Sequence, residues 1–212
     1  MKKILLFVCA FVWAVSSFAQ TGLEILNRMN ERINSHESDG VVMYIDIKIP
    51  VLGAVTTKTL HLGDNTRMEI EVSGEKIITF LEDTIQWVYI PAANEASILG
   101  SSQKSSNPAA DSGMNIGLFN DVADGYDVSI KSENLVKWEL ACKKKRSNPD
   151  KDAPKNITIE VRKETYHPLS FSSKMMGLTF TMRDFSFGVN EDQVKFNPDN
   201  YPGITITDKR EQ

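Results

Sequence analysis

The chain has 212 residues, of which 41% are hydrophobic and 25% charged, and a net charge of −4. Such values describe an ordinary globular domain large enough to bury a core without disulfides or metals. The acidic balance excludes a generic nucleic-acid-binding surface, and two cysteines are too few for a disulfide scaffold.

Lys2 and Lys3 precede a continuous apolar run over residues 4–15, and Ser16, Ser17 and Ala19 follow it. The run is too short to span a bilayer comfortably, and small residues end it. This is the pattern of a secretory signal peptide, residues 1–19, cut after Ala19. Cys9 lies inside the apolar run behind Val8, so it does not read as a lipidation site. Loss of the leader removes two lysines and takes the net charge from −4 to −6. Cys142 is then the only cysteine, expected as a buried structural thiol. Residues 20–212 read as a single domain.

That domain opens with Thr21-Gly22-Leu23-Glu24, which has the form of a capping box. Leu23, Leu26, Met29 and Ile33 recur at helical spacing, with polar residues opposite. An amphipathic helix ending near Asn34-Ser35 is expected, and its apolar stripe must lie on something.

From Gly40 the period changes to two. Val41, Met43, Ile45, Ile47 and Ile49 alternate with Val42, Tyr44, Asp46 and Lys48, a long strand stopped by Pro50. A turn over 51–55 and strands over 56–62 and 67–72 follow, with Gly63-Asp64-Asn65 and Ser73-Gly74-Glu75 as turns. Residues 76–91 form the most apolar hairpin. Ile85, Trp87 and Tyr89 share one face of its second strand, and Gln86, Val88 and Ile90 the other. A sheet with one solvated face alternates apolar with polar. Here both faces carry large apolar groups, so something apolar must meet the second face. Short strands at regular spacing indicate an antiparallel meander, hence a barrel or sandwich.

Residues 94–113, rich in Ser, Ala, Asn and Gly, read as one long loop, and 114–122 as a short helix. Strands resume at 126–130 and 136–142, then at 156–161, 169–173, 178–187 and 193–196. Lys143-Lys144-Lys145-Arg146 begins a solvated hairpin loop. In the 178–187 segment Leu178, Phe180 and Met182 share a face, but Phe185 and Phe187 are one step out of phase. A bulge near Arg183-Asp184 reconciles them. Residues 204–207 suggest a last edge strand.

Chemistry-bearing patterns are missing. His36, His61 and His167 have no second ligand at metal spacing, and no nucleophile elbow, zincin or phosphate-loop motif occurs. No cofactor and no covalent chemistry are expected; the prior moves to a binding or structural protein.

Three features resemble the LolA/LolB-like periplasmic lipoprotein carriers. One is Leu26-Asn27-Arg28-Met29-Asn30 followed by Gly40-Val41. Another is Asp83-Thr84-Ile85-Gln86-Trp87-Val88-Tyr89-Ile90-Pro91, similar to the family's D-G-x-x-x-W-x-Y-x-P. The third runs from Phe196-Asn197-Pro198 through Pro202-Gly203 to Asp208, similar to the family's closing F-x-F-x-x-P-x-G-x-x-V-x-D. Thr84 stands where the family's turn has Gly. The Arg-Pro whose arginine ties the lid helices to the barrel has no counterpart; Arg67 matches a later, structural position.

The resemblance implies a mainly β protein: an unclosed antiparallel β-barrel with the N-terminal amphipathic helix and a short lid helix over an apolar cavity. Met43, Ile45, Met68, Ile70, Phe80, Trp87, Tyr89, Leu118, Phe119, Phe180 and Met182 are the expected lining. Flexible methionines suit acyl chains of varied shape. The implied job is that of a periplasmic monomer shielding lipid acyl chains or lipoproteins. It would touch the membrane surface transiently and hand cargo to an outer-membrane acceptor. A LolA-like protein-interaction or envelope-stress sensor module is the competing expectation, and a hydrolase a distant third.

Overall fold

The computed structural model describes residues 20–50, 53–100 and 118–210; the side chains of 118–121 lie outside that description. The chain builds one twelve-stranded sheet. Its strands are β1 (Val41–Ile49), β2 (Gly53–Leu62), β3 (Asn65–Val72), β4 (Glu75–Glu82), β5 (Ile85–Ile90) and β6 (Glu95–Gly100), then β7 (Tyr126–Glu133), β8 (Lys137–Lys144), β9 (Asn156–Arg162), β10 (Pro168–Met175), β11 (Leu178–Phe187) and β12 (Thr205–Asp208). Helix α1 is Gly22–Asn34, α2 is Leu118–Gly125, and the single turn α3 is Glu191–Val194.

The spatial order is β12-β6-β5-β4-β3-β2-β1-β11-β10-β9-β8-β7. Two antiparallel meanders are thus joined by β1 against β11. β12 and β7 are the two edges, so the sheet does not close into a barrel. β12 runs parallel to β6, the one parallel pairing among the described strands.

Local chemistry explains the elements that were expected. Thr21 Oγ1 accepts from Glu24 N at 3.2 Å and Glu24 Oε2 accepts from Thr21 N at 2.9 Å, closing the capping box of α1. In β11 the register shifts: Val42 faces Ser186 while Tyr44 faces Arg183, so β11 carries one extra residue there. Asp184 takes φ 56°, the left-handed conformation that Asp tolerates. The bulge brings Phe185 and Phe187 back to the face of Met182, and all three join one core.

Three expectations fail. Residues 95–100 are not loop but strand β6, because Ala96 and Ile98 pair opposite Tyr89 and Trp87 and gain packing that local composition does not announce. Residues 193–196 do not form a strand. Asn190 caps Gln193 and Gln193 caps Asn190, which starts α3 instead. The 51–55 turn yields from Gly53 onward to β2. The expected 114–122 helix corresponds to α2 from Leu118 on, while 114–117, residues 101–113 of the expected loop, residues 51–52 and the expected leader over 1–19 lie outside the described residues.

Cross-strand partners share a face, so the register divides the sheet into two surfaces. The one carrying α1 is here called the front. On it Ile25, Leu26, Met29 and Ile33 of α1 and Val122 of α2 meet Val41, Met43 and Ile45, together with Trp138, Leu140, Cys142, Ile157, Ile159, Val161 and Phe171. Ile25, Leu26, Met29, Leu140, Ile159 and Val161 are completely buried. This is the main core, and it occupies the half built from β7–β11 and β1.

Candidate functional site

The front surface continues past β1 without interruption. Met43 pairs with Thr59, Thr59 with Met68, Met68 with Thr79, Thr79 with Val88 and Val88 with Ser97. One row toward the β1 N-terminus lie Val41, His61, Thr66, Leu81, Gln86 and Leu99. One row the other way lie Ile45, Thr57, Ile70 and Ile77. The wall over β3–β6 is therefore Met68, Ile70, Ile77, Leu81, Val88 and Leu99, set among hydroxyls and one amide. These six are buried or half-buried. Yet none belongs to any of the three apolar clusters formed by the described residues.

Two polar side chains in this wall are deeply buried without a partner. Gln86 is 5% exposed and Thr59 2%. Neither Gln86 Oε1 nor Thr59 Oγ1 has a hydrogen bond. Buried polar groups are nearly always paired, and each exception calls for an explanation. His61 Nδ1 lies 2.9 Å from Thr66 Oγ1. Burial pushes the His61 imidazole below its ordinary range, against the opposing pull of Asp64, and so favours the neutral ring.

The reverse surface of the same strands is filled by the chain itself. Ile78, Phe80, Trp87, Tyr89 and Ala96 pack against Phe196, Tyr201 and Ile204 from the C-terminal segment. Phe196 stacks on Trp87 with centroids 4.6 Å apart and on Tyr201 at 5.1 Å. Glu82 Oε1 accepts from Phe196 N at 2.6 Å and holds that segment in place. Beside it Leu60 packs with Val189 and Val194. Arg67 also belongs to this side: its guanidinium lies over the Phe80 ring at 5.3 Å and 2.7 Å from Glu69. It ties the reverse face together and does not reach a helix of the front.

The expected lining residues thus divide. Met68 and Ile70 stand in the front wall. Met43 and Ile45 are front residues that belong to the main core under α1, and Met182 packs against it. Phe180 is half-buried and pairs with Ile47 and Ser173. Phe80, Trp87 and Tyr89 are on the opposite surface, and the structure does not bring them together with Met43, Ile45, Met68 and Ile70. Leu118 and Phe119 are in α2, with side chains outside the description. The question raised by the β5 strand is answered unexpectedly. The aromatic side, Trp87 and Tyr89, meets the chain's own Phe196 and Tyr201, while Gln86 and Val88 face the front.

Sequence reasoning passed over Thr59, Ile77, Leu81, Gln86, Val88 and Leu99 as candidates. The available signal was Gln86, a polar residue inside an apolar run, which marks the face whose burial is conditional. Among the described residues no group of three or more His, Cys, Asp or Glu could hold a metal ion. No helix among them is long and apolar enough to cross a membrane.

The sequence matches no protein-family model and no curated relative. Solved structures are similar in fold. LprF from Mycobacterium bovis is 10% identical over 82% of this chain and 97% of that one, with a TM-score of 0.52. A LolA superfamily protein from Nitrosomonas europaea is 14% identical over 85% of this chain and 100% of its own, with a TM-score of 0.35. A chain of the Pseudomonas aeruginosa MucA/MucB complex is 14% identical over 84% of this chain and 62% of its own, with a TM-score of 0.44. At such identities the likeness, carried by LprF, is one of fold alone: a mainly β architecture, here with one unclosed sheet.

Proposed function

We propose that this chain is an envelope protein that binds lipid acyl chains against the front wall of β3–β6 and carries them without covalent chemistry. The observation that supports this is a row of large apolar side chains, Met68, Ile70, Ile77, Leu81, Val88 and Leu99, that belongs to none of the three apolar clusters of the described residues. Such a surface loses free energy to water unless something apolar covers it. Each methylene hidden from water contributes about 0.8 kcal/mol, so ten contribute about 8 kcal/mol. Association costs roughly 4–15 kcal/mol. The balance is close to zero, which favours extraction followed by release over permanent storage.

Residues 1–19 fit the role by directing export, and lipoproteins are the acylated cargo that such an address makes available. Lys and Glu pairs on the outer strands keep the carrier soluble between membranes.

The test is a titration of the delipidated protein with a fluorescent fatty acid. Saturable binding is expected, lost in Val88→Asp and Ile77→Asp while circular dichroism stays that of a folded β protein. Absence of binding, or binding indifferent to both substitutions, overturns the reading. A stoichiometric protein partner captured without lipid would favour an interaction module instead.

A further inference from the structure

Gln86 is out of place in a wall meant only for hydrocarbon. It sits on β5 with Leu81 and Leu99 opposite it on the neighbouring strands and Val88 two residues along. Its side chain is excluded from water almost completely, and its amide oxygen accepts nothing. The alternation of β5 leaves no choice of face. With Trp87 and Tyr89 held on the reverse by Phe196, Gln86 is turned to the front. An apolar residue there would remove the cost of burying an unpaired carbonyl, so the amide calls for a partner beyond the described residues.

A carbonyl oxygen can only accept. We propose, on the acyl-binding reading above, that Gln86 recognises a hydrogen-bond donor on the bound lipid. The cargo is then an acyl chain bearing an O–H or N–H close to its aliphatic stretch, as in hydroxylated or amide-linked chains, in preference to plain fatty acids. Thr59 Oγ1, buried and equally unpartnered, lies three strands away, about 14 Å at the usual strand spacing. A hydroxyl both donates and accepts, so Thr59 marks a second polar contact without specifying its kind. Met68, Ile77 and Val88 lie in the rows between and alongside the two positions, so the wall matches an aliphatic segment with a polar atom at each end.

The experiment is a displacement assay on the delipidated protein carrying the fluorescent fatty acid. The competitors have equal chain length: tetradecanoic acid, β-hydroxytetradecanoic acid and N-methyltetradecanamide, whose only donor is its N–H. The hydroxylated or the amide chain should displace the probe about tenfold more tightly than the plain acid, the value of one added hydrogen bond. Which of the two does so identifies the source of the donor. In Gln86→Leu that preference should vanish, so that the three competitors displace the probe equally, and the melting temperature should not be lowered. Gln86→Met serves the same purpose if the leucine variant does not fold. Equal affinities in the parent protein, or a preference that survives both substitutions, overturn the inference and leave the acyl-binding reading standing. Failure of all three lipids to displace the probe, or of the probe to bind, overturns both.

Discussion

In the half of the sheet built from β7–β11, α1 and α2 fill the front and the reverse is given to ion pairs. Lys131 meets Glu139 at 2.7 Å, and Lys137 pairs with Glu160. In β3–β6 the arrangement is inverted. The reverse carries the aromatic cluster closed by Phe196 and Tyr201, and the front carries the unclustered wall with Gln86 in it. Both halves belong to one continuous sheet and obey the same alternation. What differs is which side the rest of the chain covers. The sheet thereby has two apolar faces covered by the described chain and a third that belongs to no apolar cluster of the described residues.

The contrast can be broken experimentally. The largest effect should be chemical. Burial pushes the Cys142 thiol from an ordinary 9.0 up to about 12. The thiolate fraction at neutral pH is then lower by about a thousandfold than for a free cysteine. Thiol reagents should label Cys142 only when the β7–β11 half opens, so labelling against denaturant reports that half by itself. Labelling of the native protein at the rate of a free thiol would mean that this half is not packed.

Next in size are the two cores. Phe196→Ala should cost about 3–5 kcal/mol and Ile159→Ala about 2–5 kcal/mol, read from chemical denaturation. Phe196→Ala should also change Trp87 fluorescence, because the ring stacked on the indole is removed. Ile159→Ala should leave the emission of Trp87 alone. If the two variants have the same spectral consequence, the halves are not independently covered.

A smaller effect is expected from the wall. Ile77→Ala, in a half-buried side chain outside the clusters, should cost less than about 1 kcal/mol of stability. Its lipid affinity should fall several-fold. A stability loss as large as that of Ile159→Ala would place Ile77 in a filled core and argue against binding there.

The smallest effect concerns the seam between the halves. The guanidinium of Arg183, with Nε 2.6 Å from Asp46 Oδ2, holds the Asp46 carboxyl below the usual carboxylate range, and Thr56 adds a hydrogen bond. A carboxyl whose pKa is lowered in the folded state contributes stability that is present above the unfolded value of 3.8. That contribution is lost as pH falls through the lower folded value. Because the pair is partly solvated, it should amount to at most about 1 kcal/mol. Asp46→Asn should therefore lower the melting temperature slightly at neutral pH, with a difference that shrinks at acid pH as the folded carboxyl protonates. An equal loss at neutral and at acid pH would point to packing instead of charge.

Much of the fold was legible because its causes are local. The capping box at Thr21 and Glu24, the period-two strands from Gly40 onward, and the out-of-phase phenylalanines that located the bulge at Asp184 each depend on residues a few positions apart. The resemblance pointed to a mainly β, unclosed sheet for the same reason. Strand β6 was not legible, since Glu95-Ala96-Ser97-Ile98-Leu99-Gly100 is weakly apolar and becomes strand only through β5 on one side and β12 on the other.

The candidate site was half legible. That β5 is apolar on both faces, and that its second face needs a partner, follows from composition and alternation alone. Which face the chain would satisfy by itself does not. Trp87 and Tyr89 look like the ligand-facing side because they are large and aromatic. They are covered because Phe196 and Tyr201 return across the sheet through a contact between distant parts of the chain. Alternation assigns residues to two sides but does not say what lies over either, since long-range packing carries no local signature. By itself the sequence determined the strands, their turns and the pairing of Gln86 with Val88 on one side. Only the tertiary structure decided that the aromatic side is the one covered by the chain's own Phe196 and Tyr201, while this side joins no apolar cluster of the described residues.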